Sequence, residues 1–297
     1  MEGHGHGQYA TAQLVAGARA QCTADPVLKR LCNDPWAAAF CADDGARTLA
    51  RQVKESNALP EYPLWIGART AFFDSVVTDA VLRCGVSQVV ILGAGFDTRS
   101  NRLGLAHRAA FFEIDTPQSQ TYKLSILHGL VGYQINASIY LECDFEKQGF
   151  MDVLSACSSY DRSRPTLFLI EGVVYYLTEP AVRATLRAIS THAHCHSVVA
   201  FDYFSKQSVF GKDGRRGQDV LKGVREPMLF GLDHPLRLLA GEGYTYVVHH
   251  DFDEIVLNTT RSHHPMRFYR FQGLCVACVE RPPVVPSPMT LLPFSKL

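Results

Sequence analysis

The sequence predicts an α/β fold built on a doubly wound, mostly parallel sheet. Three observations carry the prediction. QVVIL at 88–92 is a short, β-branched run of the kind that strands buried on both faces show, and it ends in the turn Gly93-Ala94-Gly95. Further apolar runs follow at 110–114, 166–170, 197–201, 245–249 and 274–279. The intervals between the first four runs are long enough for crossover helices, such as the stretch Pro180 to His192.

Taken in chain order, residues 1–10 are small, polar and His-bearing and read as a disordered tail. From residue 11 to about 82 the apolar spacing is helical, through Ala12, Val15 and Ala16 and later Phe72, Phe73, Val76 and Val77, with the two prolines of 57–63 separating earlier helices from the last one. The strand and crossover pattern begins after Gly85. Residues 203–235, with GKDGRRG, are polar and irregular and precede a short helix at 236–240, so 203–240 reads as a lid-like insertion at the carboxyl ends of the strands, where open α/β sheets bind ligands. The last two apolar runs leave no room for a helix of ordinary length and read as an antiparallel pair closing the sheet. The tail from Pro282 is proline-rich. The expected organisation is therefore one domain over 11–281, with helices at 11–84, followed by a peripheral tail at 282–297.

Composition narrows the partners. Lys+Arg and Asp+Glu both count 29, so no net field draws in nucleic acid or an anionic membrane. The nine cysteines are an odd, scattered set rather than a disulfide framework, no secretory h-region precedes residue 20, and no run approaches the ~20 apolar residues of a membrane span. The expectation is a cytoplasmic protein with reduced thiols and a small-molecule partner, or a peptide end held in a cleft.

The glycine turn points to a nucleotide-like ligand. Glycines at a strand end let the backbone approach a ligand closely. Twenty residues after Gly95, FFEID places Asp115 at the end of the next strand, the position where α/β folds hold a ribose hydroxyl. Glu113 competes for that role, since residues two apart in a strand share a face. A dinucleotide fits poorly. The third glycine of GxGxxG is replaced by Thr98, and Asp97 would repel a pyrophosphate. S-adenosylmethionine carries no phosphate, so the acid favours a methyl donor.

ILGAGFDTRSNRL (91–103), FFEIDTPQSQTYK (111–123) and TLFLIEGVVYYLTEPAVRATL (166–186), in that order, resemble the leucine carboxyl methyltransferase family. ARTAFFD at 68–74 is similar to the family segment before the first strand, and TAQLVA (11–16) and DPWAAAF (34–40) look closer to its bacterial small-molecule branch. The resemblance spans about residues 11–280 and implies a seven-stranded sheet of the class I methyltransferase type with S-adenosylmethionine as donor. It also implies residue roles. Arg69 would pair with the donor's methionine carboxylate, Gly93 and Gly95 would lie under the donor, and Asp115 would bind the ribose. Asp144 and Phe145 in LECDFEK would meet the adenine, and Glu171 would face the methionine amino group. A carboxylate directly after the apolar TLFLI independently asks for a buried partner. Pro117 and Lys123 fit the family pattern, and Ile91 stands where many other methyltransferases carry an acid.

No catalytic base is assigned, since Tyr175, Tyr176, Tyr203 and the histidines form no diagnostic pair. No metal site is expected either. His192, His194 and His196 alternate before a strand, and Cys275 and Cys278, three apart in a strand, face opposite sides. Arg215 and Arg216 could meet an acidic acceptor but read as a solvated patch. The functional expectation is an O-methyltransferase for a small-molecule hydroxyl or carboxyl. The alternatives are a methyltransferase for a protein's C-terminal leucine carboxylate and a non-catalytic binder of the donor.

Overall fold

The computed structural model describes residues 9–41, 61–211, 227–260, 272–282 and 284–286. Helix α1 (Ala10–Ala24) and two 3-10 turns (Leu28–Arg30 and Ala37–Cys41) lead to the long helix α2 (Tyr62–Arg83). Pro63 sits in the first turn of α2, where its missing N–H costs no helical hydrogen bond. Two residues read from the sequence as tail, Tyr9 and Ala10, belong to the folded body. Tyr9 stacks on Tyr122 at 4.4 Å and α1 starts at Ala10; residues 1–8 lie outside the described residues.

Strand β1 (Gln88–Leu92) is buried at every position, as its unbroken apolar run requires. Then follow β2 (Ala110–Asp115), α3 (Pro117–Leu127), β3 (Ser138–Glu142), α4 (Phe150–Ala156), β4 (Thr166–Ile170), α5 (Glu179–His192), β5 (Val198–Phe204), α6 (Lys206–Phe210), α7 (Pro235–Gly241), β6 (Tyr246–Asp251), α8 (Phe252–Thr260) and β7 (Gln272–Cys278). Thr116 caps α3 through Ser119 N–H at 3.3 Å and Thr178 caps α5 through Ala181 N–H at 3.4 Å; such caps contribute about 1 kcal/mol each.

The seven strands form one sheet in the order β3-β2-β1-β4-β5-β7-β6, with β7 antiparallel to both β5 and β6. This is the sheet that the resemblance implies. Residues alternate between two cores. Val89, Ile91, Leu167 and Ala200 pack with Phe73 and Val76 of α2 on one face, and Val90, Phe112, Phe168 and Phe201 pack with Leu154 and Leu186 on the other.

One strand goes unmarked in the sequence, and two expectations are corrected. Strand β3 carries no strong apolar run, because as an edge strand it is only half-buried over most of its length. Between β6 and β7 there is room for the nine-residue helix α8, whose Phe252, Ile255 and Val256 bury against the α2 face. The segment from 203 is less irregular than its polarity suggests: Tyr203 and Phe204 continue β5 and α6 follows, whereas 212–226, including Arg215 and Arg216, lie outside the described residues. The proline-rich tail is also not wholly peripheral, since Pro282 and Pro286 are buried. Among the described residues no helix is long and apolar enough to cross a membrane.

Candidate active site

The carboxyl ends of β1, β2, β4 and β5 meet around the glycine turn. Gly93 and Gly95 take φ of +66° and +46°, the left-handed region that costs little only for glycine. Gly93 is constrained further, since a Cβ there would lie 2.4 Å from Val173 Cγ2. The amides of Gly93 and Ala94 both donate to Ile114 O, at 2.8 and 3.1 Å, which fastens the turn to the end of β2.

Asp115 completes that fastening. Its Oδ2 accepts from Gly95 N–H at 2.6 Å and its Oδ1 from Thr116 N–H at 2.7 Å, and burial outweighs both bonds and raises its pKa above the usual carboxylate value. Each oxygen keeps a lone pair for a hydroxyl donor. Glu113 is committed elsewhere. It is fully buried, pairs with Lys123 Nζ and accepts from Ser138 Oγ at 2.7 Å. Of the two competing acids, only Asp115 lies beside the turn.

Arg69 projects from α2 beneath these loops and is 2% exposed. Its Nε donates to Glu171 Oε1 at 2.9 Å and its Nη1 to Tyr175 OH at 3.3 Å and Asp202 Oδ2 at 3.4 Å, while its guanidinium lies 5.0 Å from the Trp65 ring centre. The second oxygen of Glu171 accepts from Arg99 Nη2 at 2.5 Å. Arg99 continues to Asp74 Oδ1 at 2.7 Å and to Asp97, and Arg102 pairs with Asp74. Burial pushes the Asp97 carboxyl up, but Arg99, Lys123 and Arg19 outweigh it and hold it at about 2. Asp97 is thus a partner of Arg99, not a free charge aimed at a ligand.

Arg99 and Asp202 were not singled out in the sequence. Asp202 carries the signal that flags Asp115, an acid near the carboxyl end of an apolar strand, here VVAFDYF. It is fully buried, accepts from Gly172 N–H at 2.7 Å and Gln272 Nε2 at 2.8 Å, and burial raises its pKa despite Arg69. Arg99 gave no such signal, because a polar turn conceals how deeply its side chain is buried.

The N-terminal helices reach the same turn. Arg19 Nη2 donates to Phe96 O at 2.5 Å, Thr98 Oγ1 donates to Asp34 Oδ2 at 2.8 Å, and Phe40 stacks on Phe96 at 4.8 Å. Asp144 and Phe145 lie at the rim after β3. Asp144 is partly exposed, accepts from Lys147 Nζ at 2.6 Å and is lowered in pKa by it; Phe145 tilts against Phe150 at 6.5 Å. Leu229 and Phe230, within the segment 203–240, donate their amides to Tyr175 O at 2.7 and 3.2 Å. Tyr203 is turned to the opposite core, where its hydroxyl meets His249 Nε2 at 2.7 Å. Cys275 and Cys278 are buried on opposite faces.

The residues fit S-adenosylmethionine. Around Arg69 three guanidiniums face four carboxylates (Asp74, Asp97, Glu171 and Asp202), an excess of negative charge that complements a sulfonium and an ammonium. The orthodox phosphate cradle is absent, since the turn's acid is held in place beside it.

Comparison with known proteins agrees. The sequence profile of the leucine carboxyl methyltransferase family matches residues 12–190. A Streptomyces avermitilis protein assigned as an S-adenosyl-L-methionine-dependent methyltransferase is 30% identical over 244 residues, covering 80% of this chain and 83% of its own. A Mycobacterium ulcerans protein with the same assignment is 32% identical, with 69% of each chain covered. Among solved structures, a methyltransferase-assigned protein from Thermobifida fusca superposes with a TM-score of 0.58 at 15% identity, over 85% of this chain and 92% of its own. A DUF574 family protein from S. avermitilis gives 0.60 at 15% identity, over 82% and 95%. These two structural matches bear on the fold alone.

Proposed function

The chain is an S-adenosylmethionine-dependent methyltransferase that belongs to the leucine carboxyl methyltransferase family, and on that premise we propose that it methylates a small-molecule hydroxyl or carboxyl group. In this reading Arg69 and Glu171 hold the zwitterionic methionine end of the donor, Gly93 and Gly95 lie beneath it, Asp115 takes the ribose and Asp144 with Phe145 takes the adenine. Residues 11–281 act as one catalytic domain, and 203–240 act as its lid.

The observation that carries the reading is the tie between the lid's root and the donor pair. Tyr175 accepts the amides of Leu229 and Phe230 on its carbonyl and Arg69 Nη1 on its hydroxyl, so the end of the proposed lid is tied to the residue expected to hold the donor. A lid anchored in this way supports a small acceptor enclosed away from water.

Bound there, the donor supplies an electrophilic sulfonium methyl group. The chain's own contribution is positioning, which suffices for an in-line displacement. A carboxylate acceptor is ionised at neutral pH and needs no base, whereas a hydroxyl acceptor must lose its proton to solvent or to a side chain. The test is methyl-labelled donor incubated with a metabolite extract beside a leucine-ended peptide. Label in a small product supports the proposal, a base-labile methyl marking an ester and a stable one an ether. Label only on the peptide carboxylate would transfer the assignment to a protein carboxyl methyltransferase. Donor binding without transfer would make the chain a binder only.

A further inference from the structure

A second convergence of ligand-bearing side chains lies at the other end of the sheet. Cys195 and His196 stand just before β5, and Glu280 follows β7, whose antiparallel course brings Cys278 opposite Val198. The Glu280 amide donates to Cys195 O at 3.1 Å, which fixes the two chain segments together. Gly93, Arg69 and Glu171 gather at the opposite, carboxyl ends of the parallel strands, so this cluster belongs to no part of the donor site.

One ligand atom from each of Cys195, His196 and Glu280 lies within 4.8 Å of the others. Two further observations point to a missing ligand. His196 Nδ1 is buried without a hydrogen-bond partner among the described residues, a costly state for a ring nitrogen. The Cys195 thiol is hydrogen-bonded to the Glu280 carboxylate, so the two groups already face one another, and a metal ion bound by both takes the place of the thiol proton. His194 is occupied otherwise, since its Nδ1 accepts from His196 N–H at 3.1 Å.

The donor set selects the ion. Thiolate, imidazole and carboxylate together suit zinc and its transition-metal neighbours, whereas magnesium and calcium prefer oxygen alone. One thiolate and one carboxylate neutralise a dication, and three protein ligands leave a fourth tetrahedral position for water. Bonds of about 2.0–2.3 Å require the three side chains to draw together by rotation. Cys195 and His196 are half-buried and Glu280 is exposed, which allows that movement.

We infer that Cys195, His196 and Glu280 form a binding site for a divalent transition-metal ion of the zinc type, which clips the start of β5 to the end of β7. The sequence hides the set. The alternating histidines draw the eye to the wrong partners, and Glu280 lies 85 positions after Cys195.

The experiment uses the full chain, reduced and stripped with chelator. It is titrated with Co2+, whose bond to a thiolate gives a charge-transfer absorption, and with Zn2+ by calorimetry. Expected are one equivalent bound, a thiolate–cobalt band displaced by Zn2+, and a higher melting temperature with Zn2+. Cys195→Ser should abolish the band. Glu280→Gln, at an exposed position that the core does not need, should weaken Zn2+ binding by more than about tenfold, at least the cost of losing an outer-shell partner. S-adenosylmethionine affinity should stay unchanged in both variants. No stoichiometric binding would overturn the site. So would a metal that gives no thiolate band, or one retained by Cys195→Ser and lost on His4→Gln/His6→Gln substitution at the amino terminus.

Discussion

Arg69 and Glu171 form a direct ion pair, Nε to Oε1 at 2.9 Å, across 102 positions of chain. The pair couples helix α2 to the loop after β4, and the other Glu171 oxygen couples that loop to Arg99, which opens the short helical turn Arg99–Arg102 after β1. One carboxylate therefore holds two buried guanidiniums, and the donor's amino and carboxylate groups are expected to meet a network that is already rigid.

Glu171→Gln should lower both stability and donor affinity. Breaking a buried ion pair from one side costs up to about 3–5 kcal/mol, and the amide softens this because its oxygen can still accept from one arginine. Thermal unfolding and calorimetry with S-adenosylmethionine would check it. Unchanged affinity in a destabilised variant would confine Glu171 to structure.

Arg69→Lys keeps the charge but loses the planar fork that reaches Glu171, Tyr175 and Asp202 together. Donor affinity should fall by roughly tenfold or more, the loss of one charge-assisted hydrogen bond. Deleting residues 1–8 should leave affinity intact, whereas deleting 1–24 should abolish it, because Arg19 then no longer holds Phe96 O. Circular dichroism must first show each variant folded. Full affinity after the longer deletion would separate the N-terminal helices from the donor site.

The two acids of FFEID should divide stability from binding. Glu113→Ala takes the ion-pair partner from buried Lys123, leaving it only Asp97 nearby, and should cost up to about 3–5 kcal/mol in urea unfolding. Asp115→Asn should cost less stability and weaken the donor by about tenfold or more. Because burial raises the Asp115 pKa, wild-type donor binding should also weaken on acidification above the ordinary carboxylate range, a dependence that Asp115→Asn should lack. A larger affinity loss at Glu113, with folding intact, would reverse the assignment.

Asp97 sets a stability window with a definite sign. Its folded pKa of about 2 lies below the ordinary 3.8, so its contribution is fully present above about 4 and is lost as pH falls through 2. The difference corresponds to about 2 kcal/mol as an order of magnitude. Urea unfolding of wild type and Asp97→Asn should show that gap near neutral pH and none in strong acid. A gap independent of pH would point to packing rather than charge.

Gly93→Ala should be poorly tolerated. Alanine at φ +66° costs roughly 1–2 kcal/mol, and its Cβ would overlap Val173. Val173→Ala in the same chain should recover the part due to overlap and leave the backbone strain. No recovery, measured by thermal unfolding, would mean that the backbone term alone decides this position.

What the sequence determined by itself was whatever local patterning encodes. β1, β2, β4 and β5 were legible because a strand covered on both faces must be apolar throughout, and the glycine turn and Asp115 because strand ends are marked by residues a few positions apart. The half-exposed edge strand β3 left no such run, and α8 was lost in an interval that looked too short. Only the tertiary structure decided the partners of the charges. Arg69 meets Asp202, Glu171 meets Arg99 and Glu113 meets Lys123 because parallel strands β1, β4 and β5 end side by side and α2 and α3 cross their faces. A buried charge must find an opposite one, but which one it finds depends on strand order, and no local spacing in the chain records that.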